Sequence, residues 1–252
     1  MGCTPEANKP QAKEGVMAVV TSLALGALFM YSDRTVLYPM LKVIADEFSL
    51  SGTATGFITS TYFFLYVAMQ VPAGLLGDRL GLKKVLTDFY LLGGAALLLL
   101  GFTANNYALL VVLVGLHGIG MGAYYPTSYG INIGTVAKER RGLASAIINS
   151  GMSVGTALGL VLAGPMYGRT GNWRLPFLVL AIPTLFVPLV FRRCLPDRKP
   201  ADKGDTGGQT QSLDFRNILA DKDLWALNLA AFCSGYGFWV ALTWGPSFFA
   251  AE

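Results

Sequence analysis

The segment Gly74-Leu-Leu-Gly-Asp78-Arg79-Leu-Gly81-Leu-Lys83-Lys84 is a short charged stretch between two long apolar ones. Residues 53–76 precede it and residues 85–104 follow it, and each is long enough to cross a hydrocarbon core of about 30 Å as a helix. Lys and Arg concentrate in the cytoplasmic loops of membrane proteins. The segment therefore predicts a cytoplasmic loop that joins two membrane helices.

Five further apolar stretches of similar length flank this pair, at residues 15–40, 106–130, 142–167, 174–192 and 225–250. Hydrophobic residues make up 53% of the 252-residue chain and charged residues 13%, against roughly 25% charged residues in soluble domains. This composition excludes an ordinary soluble enzyme, and nothing in it indicates a nucleic-acid partner. We predict an all-α polytopic membrane protein with seven transmembrane helices, in contact with the lipid bilayer.

The positive charges divide unequally between the two sides of these helices. Of 19 Lys and Arg residues, 15 fall in loops on one side, three on the other, and Arg34 lies inside a span. The asymmetry predicts a multi-pass protein of the plasma or bacterial inner membrane with a cytoplasmic N-terminus. The predicted organisation is a cytoplasmic leader (1–14), a six-helix unit (15–192), a cytoplasmic linker (193–224) and a seventh helix (225–252).

An internal repeat is visible when the chain is shifted by 90 residues. Ala73-Gly74 and Arg79-x-Gly81 then align with Ala163-Gly164 and Arg169-x-Gly171. The shift places the end of the second span on the end of the fifth, and these two ends lie on opposite sides of the membrane. The sequence therefore predicts an inverted 3+3 repeat, the arrangement found within a six-helix half of some secondary transporters.

The loop after the second span resembles the signature G-x-x-x-D-R-x-G-x-[KR]-[KR] of the major facilitator superfamily. Segments 31–37, 70–74 and 118–126, with Gly164-Pro165 and Trp173-Arg174, resemble its anion:cation symporter branch. This chain has Val114 where the branch often has Arg, and Met121 where it often has an acid. Both positions bear on ion coupling in the branch.

The resemblance implies secondary active transport of a small organic anion, such as a sugar acid or an aromatic carboxylate, by alternating access. It also implies a coupling cation, a proton or sodium, and a partner C-terminal half of which only the seventh helix is in this sequence. In the family the charged loop latches the two halves together. That role would fall here to six residues: Gly74, Asp78, Arg79, Gly81, Lys83 and Lys84.

Asp33 and Arg34 place full charges well inside an apolar span. Each would cost about 2.5 to 3.5 kcal/mol at the bilayer centre, so intramembrane charges suggest function. Helical spacing puts Tyr31 and Tyr38 on the face of Arg34, whose planar guanidinium can pair bidentately with a carboxylate and stack on aromatic rings. We predict that Arg34 binds the anion, and that Asp33 either couples a cation or pairs locally.

Other polar side chains at membrane depth are candidates for the same cavity, although each could instead bond a neighbouring helix. Those predicted to contact substrate are Tyr62, Tyr66, Gln70, Tyr124, Tyr125 and Asn149. His117 is either a proton-coupling residue or a packed histidine. No residue pattern predicts a cofactor, a metal site or a disulfide.

Two rival functions remain at this level. Gly151-Met-Ser153-Val-Gly155 matches G-x-S-x-G, and with His117 it would suit an intramembrane serine protease. The motif lies in a continuous helical run, where Ser153 is better explained as a small residue beside glycines at four-residue spacing. A non-transporting membrane fragment is the other alternative, and we expect that the 252-residue chain does not transport by itself.

Overall fold

The computed structural model describes residues 10–197 and 220–249, and this part of the chain is helical with short connections. It contains nine α-helices: α1 (Pro10–Thr35), α2 (Leu37–Glu47), α3 (Gly52–Leu80), α4 (Leu82–Thr103), α5 (Tyr107–Gly122), α6 (Tyr124–Thr135), α7 (Arg141–Thr170), α8 (Leu175–Cys194) and α9 (Lys222–Phe249). Most of the predicted leader (residues 1–9), most of the predicted linker (198–219) and residues 250–252 lie outside the described residues.

The chain divides into two compact units with a boundary after Asp202. Helices α1 to α8 belong to the first unit, and α9, a helix of 28 residues, belongs to the second. All the site residues predicted from the sequence lie in the first unit.

Five helical stretches of the described chain are long and apolar enough to cross a membrane, namely Gly15–Glu47, Leu82–Thr103, Tyr107–Thr135, Lys138–Thr170 and Leu175–Cys194. The remaining two predicted spans are also helices, α3 with 29 residues and α9 with 28. Neither of these two helices is among the five stretches that are apolar enough. In α3 the apolar residues are interspersed with Thr, Tyr and Gln. The prediction of an all-α membrane protein is confirmed.

The first and fourth predicted spans are each interrupted, which the prediction of single helices missed. α1 and α2 are separated at Val36, and α5 and α6 at Ala123. Each break lies three residues before a proline, Pro39 or Pro126. Proline has no N–H for the carbonyl four residues earlier and its ring crowds that carbonyl, so it breaks the helix on its N-terminal side.

Helix packing in the first unit follows a symmetric pattern. α1 packs chiefly on α7, α3 on α5, and α4 on α8, with further pairs α4–α5 and α1–α8. Numbered by span, these pairs are 1–5, 2–4, 3–6, 3–4 and 1–6. Exchanging spans 1, 2, 3 with spans 4, 5, 6 maps this set of pairs onto itself. The same operation exchanges the first span with the fourth, the two spans that a proline interrupts. The inverted 3+3 repeat predicts this correspondence.

Glycines allow the closest of these contacts. A Cβ atom at Gly155 of α7 would overlap the backbone of Leu28 in α1, and one at Gly118 of α5 would lie 2.6 Å from the carbonyl oxygen of Tyr62 in α3. Their neighbours at four-residue spacing, Gly151, Gly159 and Gly122, face the same partner helices equally closely. The glycine spacing in the sequence therefore serves close helix packing.

Candidate functional site

Arg34 lies near the end of α1 and is 6% exposed. Its guanidinium carbon is 4.2 Å from the ring centroid of Tyr31 and 5.4 Å from that of Phe63 in α3. A guanidinium held over aromatic faces keeps its planar N–H groups directed around its edge. Tyr31 was expected beside Arg34 from helical spacing. Phe63 was not, because it comes from another helix.

Arg34 lines a pocket within the first unit, which we call the Arg34 pocket. Its polar lining consists of Asp33, Arg34, Tyr38, Thr59, Tyr62 and His117, and its apolar lining of Leu37, Phe63, Leu97, Leu100, Val114 and Phe177. A few polar groups in an otherwise apolar lining are typical of ligand sites. Five of the predicted site residues, Asp33, Arg34, Tyr38, Tyr62 and His117, are brought together here.

The carboxylate of Asp33 is bonded within the protein. The hydroxyl of Thr184 in α8 lies 2.8 Å and 3.1 Å from its two oxygens and donates to them. The bond joins α1 to α8 and involves a residue that the sequence did not single out as a partner for Asp33. The role of Asp33 in ion coupling stays a prediction.

His117 of α5 is anchored through one ring nitrogen. Nδ1 lies 2.9 Å from the carbonyl oxygen of Gly93 in α4, while the buried Nε2 has no hydrogen-bond partner among the described residues. The imidazole ring lies 5.6 Å from the ring of Tyr62, which stacks on Tyr66 at 5.8 Å. The hydroxyl groups of Tyr62 and Tyr38 likewise make no hydrogen bond within the described chain.

A second group of tyrosines adjoins Tyr31. The Tyr31 hydroxyl is 2.7 Å from the Tyr125 hydroxyl in α6. The ring of Tyr125 stacks on that of Tyr129, with 5.7 Å between the ring centroids. The Tyr129 hydroxyl donates to Oδ1 of Asn149 in α7, at 3.3 Å. The predicted residues Tyr125 and Asn149 are therefore connected through Tyr129, which the sequence did not single out. Its spacing of four from Tyr125 was the available signal.

The other predicted residues occupy different surroundings. Tyr124 is 0% exposed, its hydroxyl donates to the carbonyl of Leu23, and its ring packs edge-on against Tyr90, outside the Arg34 pocket. Gln70 is half-buried on α3, also outside the pocket lining. Ser153 is exposed in mid-α7 whereas His117 is buried between α4 and α3, so the protease alternative gains no support.

The charged loop of the predicted latch joins α3 to α4 through Gly81, whose φ of 95° lies in the left-handed region that favours glycine. Lys83 forms an ion pair with Asp197 after α8, at 2.9 Å. Asp78, Arg79 and Lys84 are exposed, and Gly74 is half-buried. The exposed charges are available to a partner surface.

A further polar group, the Glu47 cluster, consists of Glu47, Ala104, Trp173 and Arg174. The carboxylate of Glu47 at the end of α2 accepts from the indole N–H of Trp173 and, at 2.8 Å, from Nη2 of Arg174. The same Nη2 donates to the carbonyl of Ala104 at 2.8 Å, and the guanidinium lies 4.3 Å over the Trp173 ring. The cluster joins the ends of α2 and α4 to the start of α8.

The membrane-spanning helices, their exchange-symmetric packing and the buried arginine define the fold of a membrane transport protein. The family model of the Major Facilitator Superfamily matches residues 23–252, and the chain belongs to this superfamily.

Curated relatives include transporters of more than one kind. The chain is 28% identical over 247 residues to a "Probable sulfoacetate transporter" of Cupriavidus necator, which covers 93% of this chain and 56% of the relative. It is 33% identical over 234 residues to a "Multidrug efflux pump" of Mycolicibacterium smegmatis, a match that covers 90% of this chain and 44% of the relative. It is 25% identical over 240 residues to "Probable anion transporter 5" of Arabidopsis thaliana, a match that covers 89% of this chain and 55% of the relative. The chain thus spans about half the length of these relatives.

A solved structure gives the same fold. The inward-facing, unoccupied "Bacterial Homolog to Human Lysosomal Transporter, Spinster" has a TM-score of 0.74 and 21% identity, and the match covers 96% of this chain and 56% of that one. At this identity the likeness establishes the major facilitator fold alone.

Proposed function

We propose that the chain supplies the N-terminal half of a secondary transporter that moves a small organic anion by alternating access against a second six-helix half. Two of the relatives above are described as transporters of sulfoacetate or of anions. The multidrug efflux pump among the relatives makes a broader substrate range the competing assignment. The buried guanidinium of Arg34 favours an anionic substrate within such a range.

Arg34 carries the proposal. A guanidinium that is 6% exposed inside a membrane span is costly. Its placement over Tyr31 and Phe63, in the lining of the Arg34 pocket, suits an anionic ligand. Tyr31, Tyr38, Tyr62 and Tyr66 supply hydroxyls and ring faces around it. Gln70, Tyr125 and Asn149 are proposed to contact the anion elsewhere on its way across the membrane. Tyr124 is 0% exposed and its hydroxyl is bonded to Leu23, so it packs helices together instead.

The test is uptake of labelled sulfoacetate by proteoliposomes that hold the chain completed with the remaining helices of a matching C-terminal half. Arg34→Lys keeps the charge but loses the planar fork, and uptake should fall about tenfold or more, since roughly 1.5–3 kcal/mol of charge-assisted hydrogen bonding is lost. Arg169→Lys, an exposed position at the end of α7, is the matched control and should leave uptake unchanged. Uptake by Arg34→Lys within a factor of two of the parent would make Arg34 structural.

We further propose that Asp33 couples a cation, a proton or sodium, to anion movement. Its carboxylate adjoins Arg34 and accepts from Thr184 of α8, so a change in its charge would act on two helices that line the pocket. Asp33→Asn keeps the side chain's size and the oxygen facing Thr184. It should abolish gradient-driven uptake and retain anion exchange, whereas loss of both activities, or of neither, would contradict coupling through Asp33.

The proposed orientation has a cytoplasmic N-terminus in a plasma or bacterial inner membrane. The exposed charges of the α3–α4 loop would then meet the second half on the cytoplasmic side. In this arrangement Gly74, Asp78, Arg79, Gly81, Lys83 and Lys84 form the conformational latch, with Lys83 tied to Asp197 in its own half.

A further inference from the structure

Three buried polar atoms without a hydrogen-bond partner in the described chain belong to residues that line the Arg34 pocket. They are the hydroxyl oxygens of Tyr38 and Tyr62 and Nε2 of His117. The side chains of Tyr62 and His117 are only 3% and 4% exposed. Buried polar groups in folded proteins nearly always have a partner, so three such atoms around one pocket point to a partner that the described chain does not supply.

The hydrogen bond at Nδ1 fixes what His117 can offer. The Gly93 carbonyl, 2.9 Å away, can only accept, so Nδ1 carries the ring proton. In the neutral imidazole, Nε2 is then a bare acceptor. The tyrosine hydroxyls can donate or accept. A ligand that satisfies His117 must therefore present an O–H or N–H donor to Nε2.

The surroundings restrict which donor that is. Arg34 lines the same pocket, so an ammonium group at Nε2 would bring a second positive charge close to the guanidinium. A hydroxyl is a neutral donor and avoids this repulsion. Leu97, Leu100 and Val114 line the pocket with carbon, which suits the short carbon skeleton of such a ligand.

We infer that His117 is a specificity-determining residue that accepts a hydrogen bond from a hydroxyl group of the bound anion, so that a hydroxylated anion binds more tightly than its matched counterpart without the hydroxyl. The inference rests on the proposed function, in which Arg34 holds the anionic group. Tyr62, whose ring lies 5.6 Å from the imidazole, gives the same ligand a second hydrogen-bonding hydroxyl.

His117 is the single histidine of the chain, so its ring can be observed alone. The chain, purified with an affinity tag free of histidine and grown with ¹⁵N-labelled histidine, is reconstituted in lipid for solid-state NMR. Two matched pairs of probes differ only in hydroxylation: glycerate with propionate, and isethionate with ethanesulfonate. Ligand-observed NMR on the same samples gives the affinity of each probe.

We expect one protonated and one bare ring nitrogen in the unliganded chain. Glycerate and isethionate should shift the bare Nε2 signal towards the protonated range, while propionate and ethanesulfonate should leave it in place. The hydroxylated member of each pair should bind about tenfold more tightly, as one added hydrogen bond allows. Hydroxylated probes that bind without moving the Nε2 signal would overturn the inference. The same result is expected if water alone hydrogen-bonds to Nε2.

Two variants separate the possible failures. His117→Asn keeps an amide N–H for the Gly93 carbonyl but has no atom in place of Nε2, so it should bind both members of a pair equally. A preserved tenfold preference in this variant would assign the selection to other residues. Arg34→Ala should lose all four probes. If no probe binds the parent chain, or if Arg34→Ala binds them as well as the parent does, the proposed anion site fails and the inference fails with it.

Discussion

The Glu47 cluster and the Arg34 pocket both place an arginine beside aromatic rings, yet their polar atoms differ in bonding. In the Glu47 cluster the carboxylate accepts from Trp173 and Arg174, and Arg174 also donates to the Ala104 carbonyl. In the pocket, Nε2 of His117 and the hydroxyl of Tyr62 have no partner within the described chain.

The difference distinguishes two uses of polarity in a membrane protein. Polar groups that satisfy one another hold helix ends together and need nothing further. Polar groups that a fold leaves unsatisfied at depth lower stability, and they are retained where a ligand pairs with them. On this basis we interpret the Glu47 cluster as architectural and propose the Arg34 pocket as the ligand site.

The largest expected effect concerns the side of the membrane on which the Glu47 cluster lies. Asn105 adjoins Ala104 of the Glu47 cluster, whereas Arg141 begins α7 near the opposite, positively charged ends. A reporter active only outside the cytoplasm should work when fused after Asn105 and be silent when fused after Arg141. The opposite pattern would reverse the orientation and place the Glu47 cluster on the cytoplasmic side.

Removal of the Glu47 carboxylate should give the next largest effect. Glu47→Ala leaves the indole N–H of Trp173, a residue 1% exposed, without its acceptor. We expect a loss of about 1–3 kcal/mol, visible as a fall of several degrees in the melting temperature of the purified chain. Glu47→Gln keeps an acceptor oxygen and should lose less. A melting temperature unchanged in Glu47→Ala would show that the cluster does not stabilise the fold.

The smallest effect on stability is expected in the pocket. Tyr62→Phe removes a buried hydroxyl that has no hydrogen bond in the described chain and keeps the ring stacked on Tyr66. Its melting temperature should equal or slightly exceed that of the parent, because no bond is lost and a polar atom is no longer buried. Binding of glycerate should nevertheless weaken. A fall in melting temperature as large as that of Glu47→Ala would remove the contrast between the two regions.

Much of the fold followed from local patterns in the sequence. Apolar length gave the helices, and glycine spacing at Gly151, Gly155 and Gly159 indicated the close contact of α7 with a neighbour. Helical spacing also placed Tyr31 beside Arg34. The helix breaks had a readable signal in Pro39 and Pro126, because the effect of proline on the preceding turn is local.

Tertiary contacts between helices that are distant in the chain could not be predicted from the sequence. Thr184 bonds Asp33 across 151 residues, and Trp173 bonds Glu47 across 126. Nothing in either residue's neighbours specifies such a partner, because it depends on which helices pack together. For the same reason Phe63 under Arg34 and the Gly93 carbonyl on His117 became visible only with the fold.

The most direct test of the anion site is the melting temperature of the purified chain with and without sulfoacetate, for the parent and for Arg34→Ala. A ligand that binds only the folded state stabilises it by RT ln(1 + [L]/Kd), so the melting temperature of the parent should rise with sulfoacetate concentration. Arg34→Ala should show no rise. Arg169→Ala, altered at an exposed end of α7, should respond as the parent does. An equal rise in Arg34→Ala, or no rise in the parent at any concentration, would contradict an anion site built on Arg34.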